Sequence, residues 1–325
     1  MLKKSHRGLA VSAVLSGLAL LGLTLCPAET SAAAGKSIEL CVKTILPSLF
    51  PFMVVGSLLV ELGLTASLSR LFSPLMEKLF GVSGAGCGAF FLGLTGGYPM
   101  GAASVCQLYK NGELQKDEAE RLLGFCDNTG PAFIVGVAGG AVFGSPKAGI
   151  LLYGIHIISA VLTGMLLCWR ERGVVTCTLK LTPRMSLPKA FSVSVKRSVS
   201  VCAAVCGFVV FFGVVLGLLE ACGALPALIG SVAAKTGLEL KFVRSLLTGF
   251  LELGGGISSM AGLRLCGANL ALAAFILGFG GLSVHAQAYS EIAEGGLSAV
   301  RHLFGKLLHG ALSALITLLA FPVFF

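Results

Sequence analysis

Two short segments place hydrogen-bonding side chains inside otherwise apolar sequence. "FCDNTGPAF", residues 125–133, sets Asp127, Asn128 and Thr129 directly before a Gly130-Pro131 break. "FGGLSVHAQAY", residues 279–289, carries Ser283, His285 and Gln287, with Ser283 and Gln287 four apart and so on one face of a helix. A third apolar stretch, "FLELGGGI" (250–257), encloses Glu252. Burying one such group alone costs about 2–7 kcal/mol, and grouping them around water and a ligand removes most of that cost. An ionisable residue inside a membrane segment is a functional candidate by default. The chemistry these types support is recognition. No zinc-ligand motif, nucleophile elbow or catalytic dyad is present, and "GAGCG" (84–88) lacks the strand-turn-helix context of a dinucleotide loop. The expectation is a protein that is not an enzyme, with no catalytic and no metal-ligating residues.

Glycine pairs extend the same site. "LGLTGGYPMG" (92–101) breaks an apolar run at Gly96-Gly97-Tyr98-Pro99, and "LGGGI" breaks a second one at Gly255-Gly256. Backbone in hydrocarbon must satisfy its own hydrogen bonds, so a break is tolerated where protein or a water-filled cavity supplies partners. A broken helix also offers free amides at its N-terminus, where the dipole favours an anion. The expected solute-binding set is Gly96, Gly97, Tyr98, Asn128, Thr129, Gly130, Glu252, Gly255, Gly256, Ser283, His285 and Gln287. Within it the amides hold the solute, and Glu252 suits a coupling cation or proton. His156 and His309 are expected to be packing histidines, and Glu61 and Glu220 interfacial anchors.

The elements that position these residues must be membrane helices. The chain has 325 residues, 55% hydrophobic and only 12% charged, with mean hydropathy +0.92, whereas soluble domains carry roughly 25% charged residues. Glycine, at 44 residues, is about double its usual ~7% share. The net charge of +9 is concentrated in part between Trp169 and Arg197, where seven basic residues face the single acid Glu171. That run is a topology signal for a cytoplasmic loop and excludes a nucleic-acid partner. The eleven cysteines have no CxxC spacing and read as small buried hydrophobes. Lys3, Lys4 and Arg7 precede an apolar stretch from Gly8 to Cys26 that is long enough to be kept as a first membrane helix.

An internal repeat organises the rest. Sliding the chain by 159 positions lays "FLGLTGGYPM" from Phe91 on "FLELGGGISS" from Phe250, Glu61 on Glu220, Asn128 on Gln287 and Lys147 on Lys306. The charge asymmetry turns the two copies upside down relative to each other. The expected fold is an all-α integral membrane protein of about seven transmembrane helices plus two re-entrant hairpins, an inverted-topology repeat with its site at mid-membrane. The expected divisions are an N-terminal membrane helix and external loop (1–44), repeat 1 (45–168), the basic cytoplasmic loop (169–197) and repeat 2 (198–325).

"LPSLFPF" (46–52), "GLTGGYPMGA" (93–102), "DNTGPAFIVG" (127–136), "FLELGGGI" (250–257) and "FGGLSVHAQ" (279–287) together resemble the sporulation integral membrane protein YlbJ family. That family lies within the nucleoside-recognition (Gate) group and is similar to the core of concentrative nucleoside transporters. One departure is "LELGGGI", where the family pattern has a Thr after "LE", which puts polar contacts by Gly254 in doubt. The resemblance implies a membrane around the forespore, a role in spore cortex formation or maturation, and passage of a small anionic solute such as dipicolinic acid. The alternatives are a nucleoside-type transporter and a non-transporting scaffold for cortex assembly. The expected partners are a dicarboxylate or nucleoside-like solute, the lipid bilayer and a second copy of the chain. No cofactor is expected, and the coupling ion, Na+ or H+, stays open.

Overall fold

Long apolar runs with few charges fold as helices because only helices satisfy their own backbone away from water. The computed structural model describes residues 13, 14, 16, 17, 19–169 and 185–325, and among them every regular element is helical. Among the described residues five helices are long and apolar enough to cross a membrane, or six if the bent pair Ser69–Phe80 and Ala85–Gly96 counts as one span. Most of the expected first helix, and the basic stretch 170–184, lie outside the described residues.

Among the described residues, 19–25 are helical, and from Pro27 onward seven helices make the first half: α1 (Pro27–Glu61), α2 (Leu64–Phe80), α3 (Ala85–Gly96), α4 (Met100–Lys110), α5 (Lys116–Leu123), α6 (Ala132–Val142) and α7 (Pro146–Leu167). Seven more follow in the same order: α8 (Leu187–Ala221), α9 (Ala224–Thr236), α10 (Leu240–Leu251), α11 (Leu253–Ser259), α12 (Gly267–Phe279), α13 (Gly281–Glu294) and α14 (Val300–Phe324). Each half therefore runs long span, short helix, helical hairpin, broken pair, closing span. The leading helices α1 and α8 are each 35 residues long.

Two boundaries differ from the sequence expectation. Residues 27–44 are the first half of α1 and form no loop. Pro27 stands in the first turn of the helix, where its missing N–H costs nothing. Pro47 and Pro51 remove further donors downstream, and the helix adapts with a π-helical turn at Cys41–Ile45. On the far side of the basic run, residues 187–197 already belong to α8.

The two long helices cross closely. A Cβ on Gly217 would come 2.5 Å from the Ala33 methyl, and Gly213 faces the Ser37 side chain. Beneath them one apolar core gathers around the Phe80, Phe90 and Phe125 rings, with Phe80 and Phe125 stacked at 4.7 Å. A second core joins the halves, with Tyr98, Phe133 and Ile134 packing among Leu253, Ile257, Leu270 and Leu277. This second core surrounds the site.

Candidate functional site

The first hairpin, α3–α4, turns at Gly97, whose φ of +79° only glycine adopts readily, followed by a cis Tyr98-Pro99 bond. Its arms press on the segment between α5 and α6. A Cβ on Gly101 would fall 2.0 Å from the Cys126 carbonyl oxygen, so only glycine permits the approach. The second hairpin, α10–α11, turns at Glu252. Its arms meet at Ser245 and Ser259, whose hydroxyls are 2.9 Å apart, and at Gly249 and Gly256.

Both hairpins present a helix N-terminus, and protein carboxylates cap both. Glu252 accepts from the amides of Gly254 at 2.8 Å and Gly255 at 2.5 Å. Asp127, from the break between α5 and α6, accepts from the Ala102 amide at 3.3 Å. The Gly254, Gly255 and Ala102 amides thus already have side-chain carboxyl oxygens of the chain as acceptors. The Gly254 amide keeps this polar contact although the family's Thr is absent.

Residues 124–130 leave the regular helix and are buried, which obliges their polar groups to find partners. Thr129 donates its amide to His156 Nε2 at 3.1 Å and its hydroxyl to the Leu277 carbonyl at 2.8 Å. The Asn128 amide donates to the Phe125 carbonyl at 2.9 Å. The Lys306 ammonium donates to the Asp127 carbonyl at 2.6 Å. The second break, at Gly280-Gly281 between α12 and α13, ends a helix and strands its last carbonyls. Thr129 takes that of Leu277, and the Tyr98 hydroxyl reaches Leu277 and Gly278 at 3.2 and 3.4 Å. Groups from one half satisfy the broken helix of the other.

A small cavity of about 50 Å³ lies between the hairpins and the two breaks. Tyr98, Thr129, Gly130, Glu252, Ser283 and Gln287 line it, with apolar walls from Ile45, Leu49 and Phe133 and from Val205 and Val209 of α8. Ser283 Oγ and Gln287 Oε1 are buried and have no hydrogen-bond partner among the described residues. Glu252 also borders a larger polar vestibule lined by Lys36, Glu220, Arg244, Gly255 and Ser259.

Six of the twelve expected site residues therefore meet in one cavity. The others lie around it. Gly97 packs on Gly130 at the first tip, and Gly96 sits behind it in the last turn of α3 against Met100. Asn128 is turned toward Phe125, Gly255 opens on the vestibule, and His285 lines a separate groove beside His302. Gly256 packs against its own hairpin, where a Cβ would approach Gly249 Cα to 2.2 Å. Arg244 pairs with Glu220 at 2.8 Å, leaving Glu252 to the hairpin amides, and Glu61 stands 4.0 Å from Arg197.

The sequence points to Asp127 without placing it in the expected binding set, gives no place in the site to His302 and Lys306, and assigns His156 and His309 to packing. The signal was present. His302, Lys306 and His309 sit at spacings of four and three in an apolar span, which puts them on one helix face. Reading Lys306 only as the repeat mate of Lys147 hid it; Lys147 is exposed and donates to the Phe324 carbonyl at 2.7 Å.

Comparisons with known proteins agree with the motifs. Residues 42–168 match the Gate family, described as nucleoside recognition. Over 295 residues the chain is 27% identical to the sporulation integral membrane protein YlbJ of Bacillus subtilis (strain 168), covering 82% of this chain and 72% of that one. Among solved structures, a variant of the concentrative nucleoside transporter CNTnw in an intermediate state shares the fold, with TM-score 0.51 at 15% identity. That likeness covers 98% of this chain and 85% of the other. The chain is an integral membrane protein whose fold is similar to that of this transporter and whose residues 42–168 are similar to the Gate family.

Proposed function

We propose that the chain is a non-enzymatic, secondary-transporter-like protein of sporulation that passes a small solute through the cavity between its halves. One observation carries this reading. Ser283 and Gln287 point unpartnered polar atoms into a cavity built from both breaks and both hairpins. Buried polar atoms are ordinarily hydrogen-bonded, and a solute completes these. The walls of α1 and α8 and the hydroxyl of Tyr98 suit a flat, partly apolar molecule with polar edges.

The relationship to a sporulation protein favours dipicolinic acid as that solute and spore cortex formation or maturation as the setting. Glu252 borders the cavity, and among the described residues no lysine or arginine lines it. A dicarboxylate would therefore travel with its charge balanced by protons or a co-transported cation. The same lining favours, as a second reading, a neutral nucleoside-like solute held by amide and hydroxyl groups. No cofactor is needed for either.

Thermal unfolding of the detergent-purified protein with dipicolinate, nucleosides and simple dicarboxylates tests the choice, since selective binding stabilises the folded state with ligand excess. Flux in protein-only vesicles tests transport itself. A scaffold for cortex assembly would give neither a selective shift nor flux.

A further inference from the structure

Behind the cavity stands a second buried polar cluster. Lys306 is wholly buried; besides the Asp127 carbonyl, it meets His309 Nδ1 at 3.1 Å and lies 4.9 Å from the centre of the Tyr98 ring. His302 Nε2 is 3.3 Å from Asp127 Oδ2. His309 Nε2 is 3.1 Å from the His156 carbonyl, and the His285 ring is 5.3 Å from that of His302. Four of the chain's five histidines thus surround one lysine and one carboxylate.

Helix α5 packs on α14 and carries Lys116, Asp117, Glu118, Glu120 and Arg121, with Glu120 accepting from the Ser298 amide at 3.0 Å. The groups that meet Lys306 or act on its charge come from the other elements around it. They are Asp127 and Cys126 of the first break, His302 and His309 of its own helix, His156 of α7, Tyr98 of the first hairpin and His285 of α13. Helix α12, which packs along α14, contains no titratable residue.

The cluster reaches two spaces. His302 and His285 line an open groove together with Tyr289 and Ser298, and both ring nitrogens of His285 lack a partner among the described residues. On the other side Tyr98 and Thr129 line the cavity, and Thr129 is bonded to His156. Asp127 also caps the first hairpin through the Ala102 amide. One carboxylate therefore touches the groove-side histidine and the hairpin tip, and its own backbone holds the buried lysine.

Resting on the transport reading, we infer that Asp127 and His302, beside the buried Lys306, form a proton-binding site that couples protons to solute passage. A hydronium ion in the groove gives its proton to Nδ1 of His302 and is left as water, while Nε2 hands its own proton to the Asp127 carboxylate. The imidazole ends neutral and Asp127 ends as a carboxylic acid, with no change of oxidation state. A neutral Asp127 is a weaker acceptor for the Ala102 amide, which frees the hairpin tip beside the solute. A metal cation is a poor fit at the same place, because the Lys306 ammonium already occupies the Asp127 carbonyl and would repel it.

The test uses the full chain in phosphatidylethanolamine–phosphatidylglycerol vesicles, with a pH dye inside, the membrane potential clamped at zero and sodium absent. Labelled dipicolinate and uridine are supplied in separate runs. An inward proton gradient should speed uptake several-fold and lumen pH should follow uptake, and His302→Gln should lose most of both responses. Uptake that ignores the proton gradient and requires sodium would overturn the proton site while leaving transport intact. If neither solute moves, the transport reading fails, and the site is judged by unfolding midpoints in detergent between pH 5 and 8. A pH response in the native chain that His302→Gln and Asp127→Asn both diminish supports it; identical responses in all three overturn it.

Discussion

The two hairpins solve the same problem differently. Each must satisfy the free amides of a helix that begins in an apolar interior, and each uses a carboxylate. The second hairpin carries its own, since Glu252 at the tip binds the amides two and three residues further on. The first hairpin borrows Asp127 from a segment 25 residues downstream, which is itself tied to His302 and Lys306 of the closing span. A locally capped hairpin can shift as one body between cavity and vestibule. A hairpin capped from outside moves only when its partner releases it.

The sharpest way to break this contrast is to remove the borrowed cap. Asp127→Ala leaves the Ala102 amide and His302 Nε2 without their buried acceptor, and unsatisfied buried groups typically cost about 1–3 kcal/mol each. The expected result is a large drop in the unfolding midpoint in detergent and poor accumulation in the membrane. A midpoint near that of the native chain would show that the first hairpin does not depend on Asp127.

Next in size is Gly101→Ala. Its methyl would meet the Cys126 carbonyl, an overpacking of about 1–3 kcal/mol or more. The second hairpin has a counterpart in Gly256→Ala, where the clash is with the Gly249 backbone of the same hairpin. Both should destabilise, but only Gly101→Ala should also increase cysteine-reagent labelling of Cys126, measured by mass spectrometry. Equal labelling would mean that the first hairpin is as self-contained as the second.

Glu252→Gln should cost less in stability, about 1–2 kcal/mol, because the amide oxygen still caps one backbone N–H while the charge-assisted part is lost. Flux should nevertheless fall steeply, since the residue borders both cavity and vestibule. Vesicle uptake at native rates would remove Glu252 from the passage.

The smallest expected change in stability is for Ser283→Ala. The hydroxyl has no partner among the described residues, so unfolding should shift by no more than about 0.5 kcal/mol. Binding of the correct solute should weaken about tenfold, the worth of one hydrogen bond of roughly 1.4 kcal/mol. Titration of the thermal shift with solute separates these two numbers.

Much of the site's composition was legible. Thr129, Glu252, Ser283 and Gln287 are polar groups in apolar surroundings, and that mismatch is visible without coordinates. The ungapped repeat register misled where the halves differ in detail. It laid Gly97 on Gly256, whereas the tips are Gly97 and Glu252, about one helical turn apart. It also paired Asn128 with Gln287, although Asn128 turns to Phe125 and Gln287 alone faces the cavity. A constant offset cannot follow halves whose elements differ in length. Helix α2 has 17 residues and α9 has 13, so the second tip comes about four residues early.

The sequence by itself determined that this chain lives in a membrane, that it is helical, that it repeats, and where its helices break. Those follow from hydropathy, from the backbone's need for hydrogen bonds in hydrocarbon, and from glycine and proline, all of which act locally along the chain. Only the tertiary structure decided which groups answer each break. Asp127 meets Lys306, and Thr129 meets Leu277, across 179 and 148 positions. No periodicity encodes such pairs, because each partner is chosen by how helices from opposite halves pack. That choice turned an expected anion site into two capped hairpins and gathered four scattered histidines behind the cavity.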